Sequence, residues 1–352
     1  MELRGLESRT PPWLKNWKGD GILTRTASQT MADAIAEVGV PTVELRATRL
    51  EHKFPFVGGD NHEVGQMVAQ HLLDRGFRRF GVYGLGTEDY FELRRDKFID
   101  TIRQAGLPCS VYHPPGKRES PAEWERQQEE LRQWVTGLAK PVGLFACNDQ
   151  LGFWLLDACR RAKVAVPEEV AVVGAENDES LCTMASPPLS SIHFNAPRIG
   201  YEAAALLHRM MSRGRKTERE ILIKPLYIVT RQSSDVLAIE DEHLAHAVRF
   251  IRANAGRGIN VADVLKEVPI SRTALEQRMK QVLGRTPKAE ILRVQLNHVK
   301  ELLAATDLSL EAIAERSGFA HPQYMAELFH KKCGQTPGSY RSSCRAKAKR
   351  ES

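Results

Sequence analysis

The sequence predicts two folds in series: a two-lobed α/β domain over residues 1–235 and, after a linker at 236–242, an all-α domain over 243–342 that holds two helix-turn-helix units. Three observations carry this reading. Short apolar, strand-like runs alternate with helical patterns from Gly21 to Ser233, which is the mark of βαβ units around a mostly parallel sheet. Beyond that point one helical device occurs twice, as VADVLKEVPISRTALEQRMKQVLGRTP and as LSLEAIAERSGFAHPQYMAELFHKKCGQTP. The charge divides at the same place: residues 243–352 hold 19 Lys and Arg against 10 Asp and Glu, and the remaining 242 residues hold 31 against 34. A basic excess confined to the helical segment predicts that this half binds a polyanion.

Residues 1–20 are rich in Pro, Trp and charge and announce no element. From Gly21 onward the predicted strands are GILT, TVEL, FPFVGG, RFGVYG, SVYH, VGLFACND, VAVVGAEND, SSIHF and a closing run ILIKPLYIVTRQS. Helices are predicted at 31–38, 63–75, 90–105, 121–138, 151–162 and 196–212. So many units fit two lobes better than one. In such sheets small ligands bind beyond the carboxyl ends of the strands. Asp60 and Asn61 follow FPFVGG, Asn148 and Asp149 follow VGLFAC, and Glu176, Asn177 and Asp178 follow VAVVGA. Carboxylates and amides at three strand ends can make paired hydrogen bonds to neighbouring sugar hydroxyls. The alternative for each is a turn former or helix N-cap.

In the second helical copy Leu310, Ile313 and Ala314 face inward, Gly318 supplies a left-handed turn and Phe319 plugs the corner. The following helix buries Met325, Leu328 and Phe329 and turns His321, Gln323, Tyr324 and Glu327 outward. In the first copy Val261, Val264 and Leu265 take the inward positions, Ile270 matches Phe319, and Leu275, Met279 and Val282 form the buried stripe. Arg272, Thr273, Glu276 and Gln277 then point outward. Both copies close on Gly-x-Thr-Pro, at 284–287 and 334–337. That motif reads as a C-terminal glycine, a new N-cap threonine and a proline in the first turn. The helix after Pro287, with Ile291, Leu292, Val294, Leu296, Val299, Leu302 and Leu303, joins the two units. Pro269 stands where the second copy has Gly318, so the first turn is expected to differ in shape. Residues 343–352 read as a disordered basic tail.

At AIAERSGF and YMAELFHKKCGQTPGSYR the chain resembles the AraC/XylS family of bacterial transcription regulators, over residues 243–342. The runs VGGDNHEVGQMVAQHLLDRGFRRFGVYG, FACNDQLGFWLLDACRRAKVAVPEEVAVVGAENDE and PPLSSIHFNAPRIGYEAAALLHRMM, with the closing ILIKPLYIVTRQSS, resemble the sugar-sensing domain of LacI/GalR-type repressors, itself similar to a two-lobed periplasmic binding protein. Together the resemblances imply an activator of sugar catabolism genes. They imply a homodimer that binds double-stranded operator DNA, works with RNA polymerase and takes a small sugar effector, D-xylose or another pentose. The helix around residues 63–75 is a candidate dimer surface. Arg94, four positions before Phe98, matches the family arginine that contacts sugar hydroxyls, and Asp149 matches the aspartate of the family's ND pair. Asn148 and Asn177 complete the expected ligand set with Glu176, which stands where the family has Asp. Selectivity among sugars is therefore expected to differ.

For the DNA side, Arg272 and Gln277 with Gln323 suit guanine and adenine, Glu276 and Glu327 suit cytosine N4, and Thr273, His321 and Tyr324 complete the outward set. Lys331, Lys332, Arg285 and Lys288 suit phosphate. The resemblance also implies a departure: the family's first βα unit, whose strand is central in the N-terminal lobe, is expected to be missing, with MELRGLE a remnant of the next strand. A constitutive DNA-binding regulator with a non-functional sensor is the alternative that follows.

No Gly-x-Ser-x-Gly, P-loop, His-Glu-x-x-His or Rossmann glycine fingerprint is present, and neither a catalytic residue, a metal ligand nor a cofactor is expected. A sugar-binding or hydrolytic protein with a helical accessory domain is a second alternative, resting on Asp149 and Glu176 as a carboxylate pair. Six cysteines without Cys-x-x-Cys spacing read as reduced thiols of a cytoplasmic protein. No apolar run approaches the ~18 residues of a membrane span, so no membrane partner is expected.

Overall fold

The computed structural model describes residues 10–47, 54–86, 88–112, 114, 121–213, 219–239 and 241–344. Strands β1 (Ile22–Thr24), β2 (Thr42–Glu44), β3 (Phe56–Gly59) and β9 (Glu220–Ile223) form a four-stranded sheet in that order. Every pair in it is parallel. Helix α1 (Gln29–Val38) starts at Ser28, whose hydroxyl accepts from the Met31 amide, and stops at Gly39 with φ 75°. Helix α7 (Ala196–Arg213) lies on the sheet, where its Ala203 and Leu206 pack with Val43 and Val57. Among the described residues, strands β1 and β9 are its edges. A 3-10 turn spans Pro12–Asn16, in a stretch whose composition announced no element. The strand remnant expected in MELRGLE lies outside the described residues.

The second lobe is a six-stranded sheet of β10 (Tyr227–Val229), β8 (Ser190–His193), β7 (Val170–Ala175), β6 (Val142–Ala146), β4 (Phe80–Tyr83) and β5 (Cys109–Tyr112), in that spatial order. Strand β10 runs antiparallel to β8 and the other pairs are parallel. Every residue of VGLFA in β6 and of VAVVGA in β7 is buried, as central parallel strands covered on both faces must be. Helices α2 (Asn61–Leu73), α3 (Asp89–Gln104), α4 (Pro121–Gly137), α5 (Asp149–Arg161) and α6 (Glu179–Met184) belong to this lobe. α2 and α3 pass so close that a Cβ on Gly65 would stand 2.3 Å from the Arg94 carbonyl oxygen.

The closing run ILIKPLYIVTRQS is not one strand. β9 ends at Ile223 in the first sheet and β10 begins at Tyr227 in the second. Pro225 lies between them, a residue with no N–H to continue a ladder. The chain thus passes between lobes three times: from β3 into α2, from β8 into α7, and from β9 into β10. The passages adjoin: the Leu226 amide donates to the His193 carbonyl at 2.9 Å, and the Phe194 ring covers Gly59, where a Cβ would stand 2.2 Å from it.

The helical domain contains α8 (Glu242–Asn254), α9 (Val261–Glu267), α10 (Arg272–Leu283), α11 (Pro287–Ala305), α12 (Leu310–Arg316), α13 (Pro322–Cys333) and α14 (Pro337–Cys344). It has two cores. Val264, Leu275, Met279 and Leu283 meet Leu244, Val248 and Ile251 in the first; Ile313, Ala314, Phe319, Met325 and Phe329 form the second. Helix α11 serves both, with Ile291 in the first and Leu296, Val299 and Leu303 in the second. Both closures behave as their chemistry requires: Gly284 and Gly334 have φ of 69° and 73°, and the Thr286 and Thr336 hydroxyls accept from the Ala289 and Ser339 amides. Gly318 has φ 76°, whereas none of Val268, Pro269 and Ile270 in the first turn has a positive φ. The turns differ as Pro269 dictates. Helix α14 includes Ser343 and buries Cys344, and the rest of the basic tail lies outside the described residues.

Charged side chains hold the two domains together. Asp74, at the end of α2, pairs with Arg285 at 2.7 Å and with Arg293 at 3.0 Å, and its carbonyl accepts from Arg252 at 2.8 Å. Glu290 is fully buried against Arg285 and Arg293, at 2.5 and 2.8 Å. Burial works to raise its carboxyl, but Arg293, Arg285 and Arg252 outweigh it and hold the group at about 2. Arg285, expected to contact DNA phosphate, is instead taken up by Asp74 and Glu290.

Candidate functional site

The described side chains that converge at the lobe passages centre on Arg94. Its backbone is set by the close α2–α3 packing at Gly65, and its side chain is 6% exposed. Nε donates to Asn61 Oδ1 at 2.8 Å and Nη1 donates to the Cys147 carbonyl at 2.6 Å. Nη1 also pairs with Glu176 Oε1 at 3.3 Å. The guanidinium is flanked by the rings of Tyr90, at 4.9 Å, and Phe194, at 5.3 Å. Its Nη2 has no hydrogen-bond acceptor among the described residues, and neither has Glu176 Oε2 a donor. A cation and an anion with one open group each, on a stacked aromatic frame, suit a vicinal diol.

Glu176 and Asn177 reach these positions with φ of 113° and 51°, in a region that side-chain-bearing residues seldom occupy. Hydrogen bonds hold them there: the Glu176 amide donates to the Ile192 carbonyl and the Asn177 amide to Ser191 Oγ. The Asn177 side chain is taken up by Arg231 at 2.8 Å and lies 3.2 Å from His193 Nδ1. Asp149 is 1% exposed. Its carboxylate accepts from Ser191 Oγ at 2.5 Å and from the Asp178 amide at 2.7 Å, in space that exists because Gly174 has no Cβ. Burial pushes its carboxyl up to about 6 despite those donors. Asn148, Asp60 and Asp178 cap the helices that follow them, accepting from Leu151, from His62 and Glu63, and from Leu181.

The structure therefore brings Arg94 and Glu176 together, sets Asp149 into an internal hydrogen-bond network, and turns Asn148 and Asn177 to other partners. Four neighbours were not singled out from the sequence. Tyr90 precedes Arg94 by one helical turn, a spacing that reveals it. Phe194, Arg46 and Glu88 carried no such signal. Arg46, after β2, pairs with Glu88, before α3, at 2.9 Å and links the lobes beside Tyr90.

On the helical domain, α10 exposes Arg272, Thr273 and Gln277, with Glu276 half-buried and paired to Arg272 at 3.1 Å. α13 begins after His321 and exposes Gln323, Tyr324, Glu327, Lys331 and Lys332. Tyr324 is half exposed, at 50%, with its ring against Phe319. Each second helix thus carries a polar row on the face opposite its core, and α11 fixes the two rows relative to each other. Among the described residues no group of His, Cys, Asp and Glu could hold a metal ion, and no helix is long and apolar enough to cross a membrane.

Residues 69–234 match the periplasmic binding protein-like domain family and residues 264–343 match a helix-turn-helix domain family. The chain is 30% identical over 332 residues to the xylose operon regulatory protein of Haemophilus influenzae, spanning 92% of this chain and 85% of that protein. It is equally 30% identical, over 335 residues, to the protein of that name in Escherichia coli K12, spanning 93% and 85%. The chain belongs to the family of xylose operon regulatory proteins. A solved structure of the xylose-binding transcription activator xylR is 30% identical, covers 92% of this chain and 87% of that one, and superposes with a TM-score of 0.57. A LacI family regulator from Enterococcus faecalis V583 with bound ribose, 18% identical over 66% of this chain and 82% of its own, has the fold of the sensor at a TM-score of 0.52. The members compared are named as transcription regulators, and the two-domain plan expected from the sequence is theirs.

Proposed function

We propose that this member of the family is an activator of pentose catabolism genes. A sugar such as D-xylose binds between the lobes, its hydroxyls accepting from Arg94 and donating to Glu176, with Asp149 positioning the β7–α6 turn that carries Glu176. Asn148 and Asn177 shape the same strand ends. The observation that carries this reading is the stacked Arg94, with an unused donor beside an unused Glu176 oxygen at the lobe passages. Arg272, Thr273, Glu276 and Gln277 on α10, with His321, Gln323, Tyr324 and Glu327 on α13, are the base-facing set. Lys331 and Lys332 take phosphate. The regulator works as a cytoplasmic homodimer that contacts RNA polymerase, and it catalyses no reaction.

The test is binding of the purified chain to its own upstream DNA at two salt concentrations, with and without D-xylose. Salt-sensitive, sequence-selective binding that changes with D-xylose is the expected outcome. Selective binding indifferent to every pentose tried points to a constitutive reader, and absence of selective binding overturns the proposal.

A further inference from the structure

A concavity lies between the two domains, lined by none of the residues around Arg94. It is a cavity of about 630 Å³, lined by Arg75, just beyond the end of α2 of the sensor, and by Arg252 and Arg293 from α8 and α11 of the reader. Met67, Tyr227 and Ile228 add apolar and aromatic surface to the same lining. That volume is in the range of small-molecule sites.

Arginines outnumber the carboxylates bonded to them around it. Arg252, Arg285 and Arg293 converge on two buried carboxylates, Asp74 and Glu290, and Arg75 lies beside them with Asp235 acting at longer range. Arg75 makes no ion pair with a carboxylate among the described residues, and a buried charge without a bonded partner is costly. Burial, followed by repulsion among Arg252 and Arg293, pulls Arg75 down to about 9, and burial pulls Arg252 down to about 10. Among the described residues Arg75 hydrogen-bonds to neutral acceptors: the Ser234 carbonyl at 2.7 Å, the His71 carbonyl at 3.2 Å and Thr230 Oγ1 at 3.4 Å, with His71 Nδ1 at 3.1 Å. The buried Nε of Arg252 has no hydrogen-bond acceptor among the described residues, with Glu290 Oε1 at 3.9 Å. The acids on the lining do not fill the deficit. Asp74 is held by Arg285 and Arg293, Glu63 is held by Lys224 at 2.7 Å, and burial pushes the Glu301 carboxyl above its ordinary range.

We propose that this cavity is a second effector site for a small phosphate monoester, the dianion lying against Arg75, Arg252 and Arg293 and the body along Tyr227 and Met67. A phosphate is an anion that suits this cationic wall and offers the oxygens that Arg75 and Arg252 lack. Because the cationic wall comes from both domains, the ligand bridges sensor and reader, and its binding is coupled to how the reader is seated. The site does not depend on the sugar reading, since it shares no residue with the group around Arg94.

The experiment is calorimetric titration of the full chain with D-ribose 5-phosphate as probe, at constant ionic strength, with D-xylose and inorganic phosphate titrated separately. Saturable probe binding with Kd below about 1 mM is expected, with inorganic phosphate competing. Arg75→Gln weakens it about tenfold or more, the loss of a charged hydrogen-bond donor. Asn297→Asp, which adds a negative charge on the exposed rim of the cavity and removes no interdomain bridge, weakens it as well. D-xylose binding is expected to be unchanged in Asn297→Asp. The proposal is overturned if the wild type shows no saturable binding, or if binding survives Asn297→Asp at full strength. Loss in Arg94→Met alone also overturns it, by assigning the phosphate to the sugar cleft. Should Arg75→Gln not fold, Asn297→Asp decides.

Discussion

Arg94 is held ready for a ligand by contacts that have nothing to do with the ligand. Two rings fix the plane of its guanidinium, Asn61 and the Cys147 carbonyl fix its direction, and Nη2 is left over. Replacing it with Met removes that donor while keeping a flexible apolar stem between the rings. The expected result is at least a tenfold rise in the Kd for D-xylose by calorimetry, since a hydrogen bond from a charged donor contributes roughly 1.5–3 kcal/mol. Asp149 yields a pH prediction. Its carboxyl titrates near 3.8 when exposed and about 6 when folded, so the folded chain prefers it protonated. The stability it contributes is complete below about pH 4 and is lost as pH rises through about 6, a difference on the order of 3 kcal/mol. Urea unfolding of the wild type is therefore expected to show a fall between pH 4 and pH 7 that Asp149→Asn lacks. Identical pH profiles for the two would show that Asp149 is not the group responsible.

Two glycines with nearly the same left-handed backbone separate a cap from a contact. At Gly334, φ is 73° and a Cβ meets nothing within 4 Å, so Gly334→Ala is expected to cost only about 1 kcal/mol of backbone strain. At Gly318, φ is 76° and a Cβ would stand 2.3 Å from the Ala255 carbonyl oxygen and 2.6 Å from the Gly258 nitrogen. Gln295 spans the same junction, donating to the Ala255 and Gly318 carbonyls at 3.1 and 2.9 Å. Gly318→Ala must therefore displace the α12–α13 turn from the end of α8, at a cost of roughly 3 kcal/mol or more. Denaturation midpoints of the two variants measure this difference directly. Both left-handed glycines were readable from their place after an apolar helical stripe. The clash that makes one of them severe was not, because Ala255 lies more than sixty residues away in the chain.

Asp74 ties the molecule into one piece by accepting two arginines from the reader at the end of a sensor helix. Asp74→Ala leaves Arg285 and Arg293 short of a buried partner, a loss of roughly 3 kcal/mol or more for a pair of this kind. Scanning calorimetry of the variant is expected to resolve separate sensor and reader transitions. In operator-binding titrations the effect of D-xylose is expected to shrink while D-xylose affinity itself holds. A single unchanged transition would mean that the reader is seated by other contacts.

The elements of this protein were determined by the sequence on its own. Hydrophobic period, N-cap side chains and glycine stops act within a few residues, so the βα alternation, the doubled helix-turn-helix and both Gly-x-Thr-Pro closures are local facts that composition and spacing express. Arg94 and Glu176 were legible as candidates through family motifs. What tertiary structure decided is which polar groups face one another. ILIKPLYIVTRQS was divided between two sheets because its halves extend different lobes around Pro225. Asn148 was turned to its own helix because an N-cap bond was within reach, and Asp149 was buried because Gly174 left room for it. Phe194 reached Arg94 only through the passage from β8 to α7. Asp74 met Arg285 across 211 residues of chain, a pairing that depends on how one domain sits on the other and that no window of sequence contains.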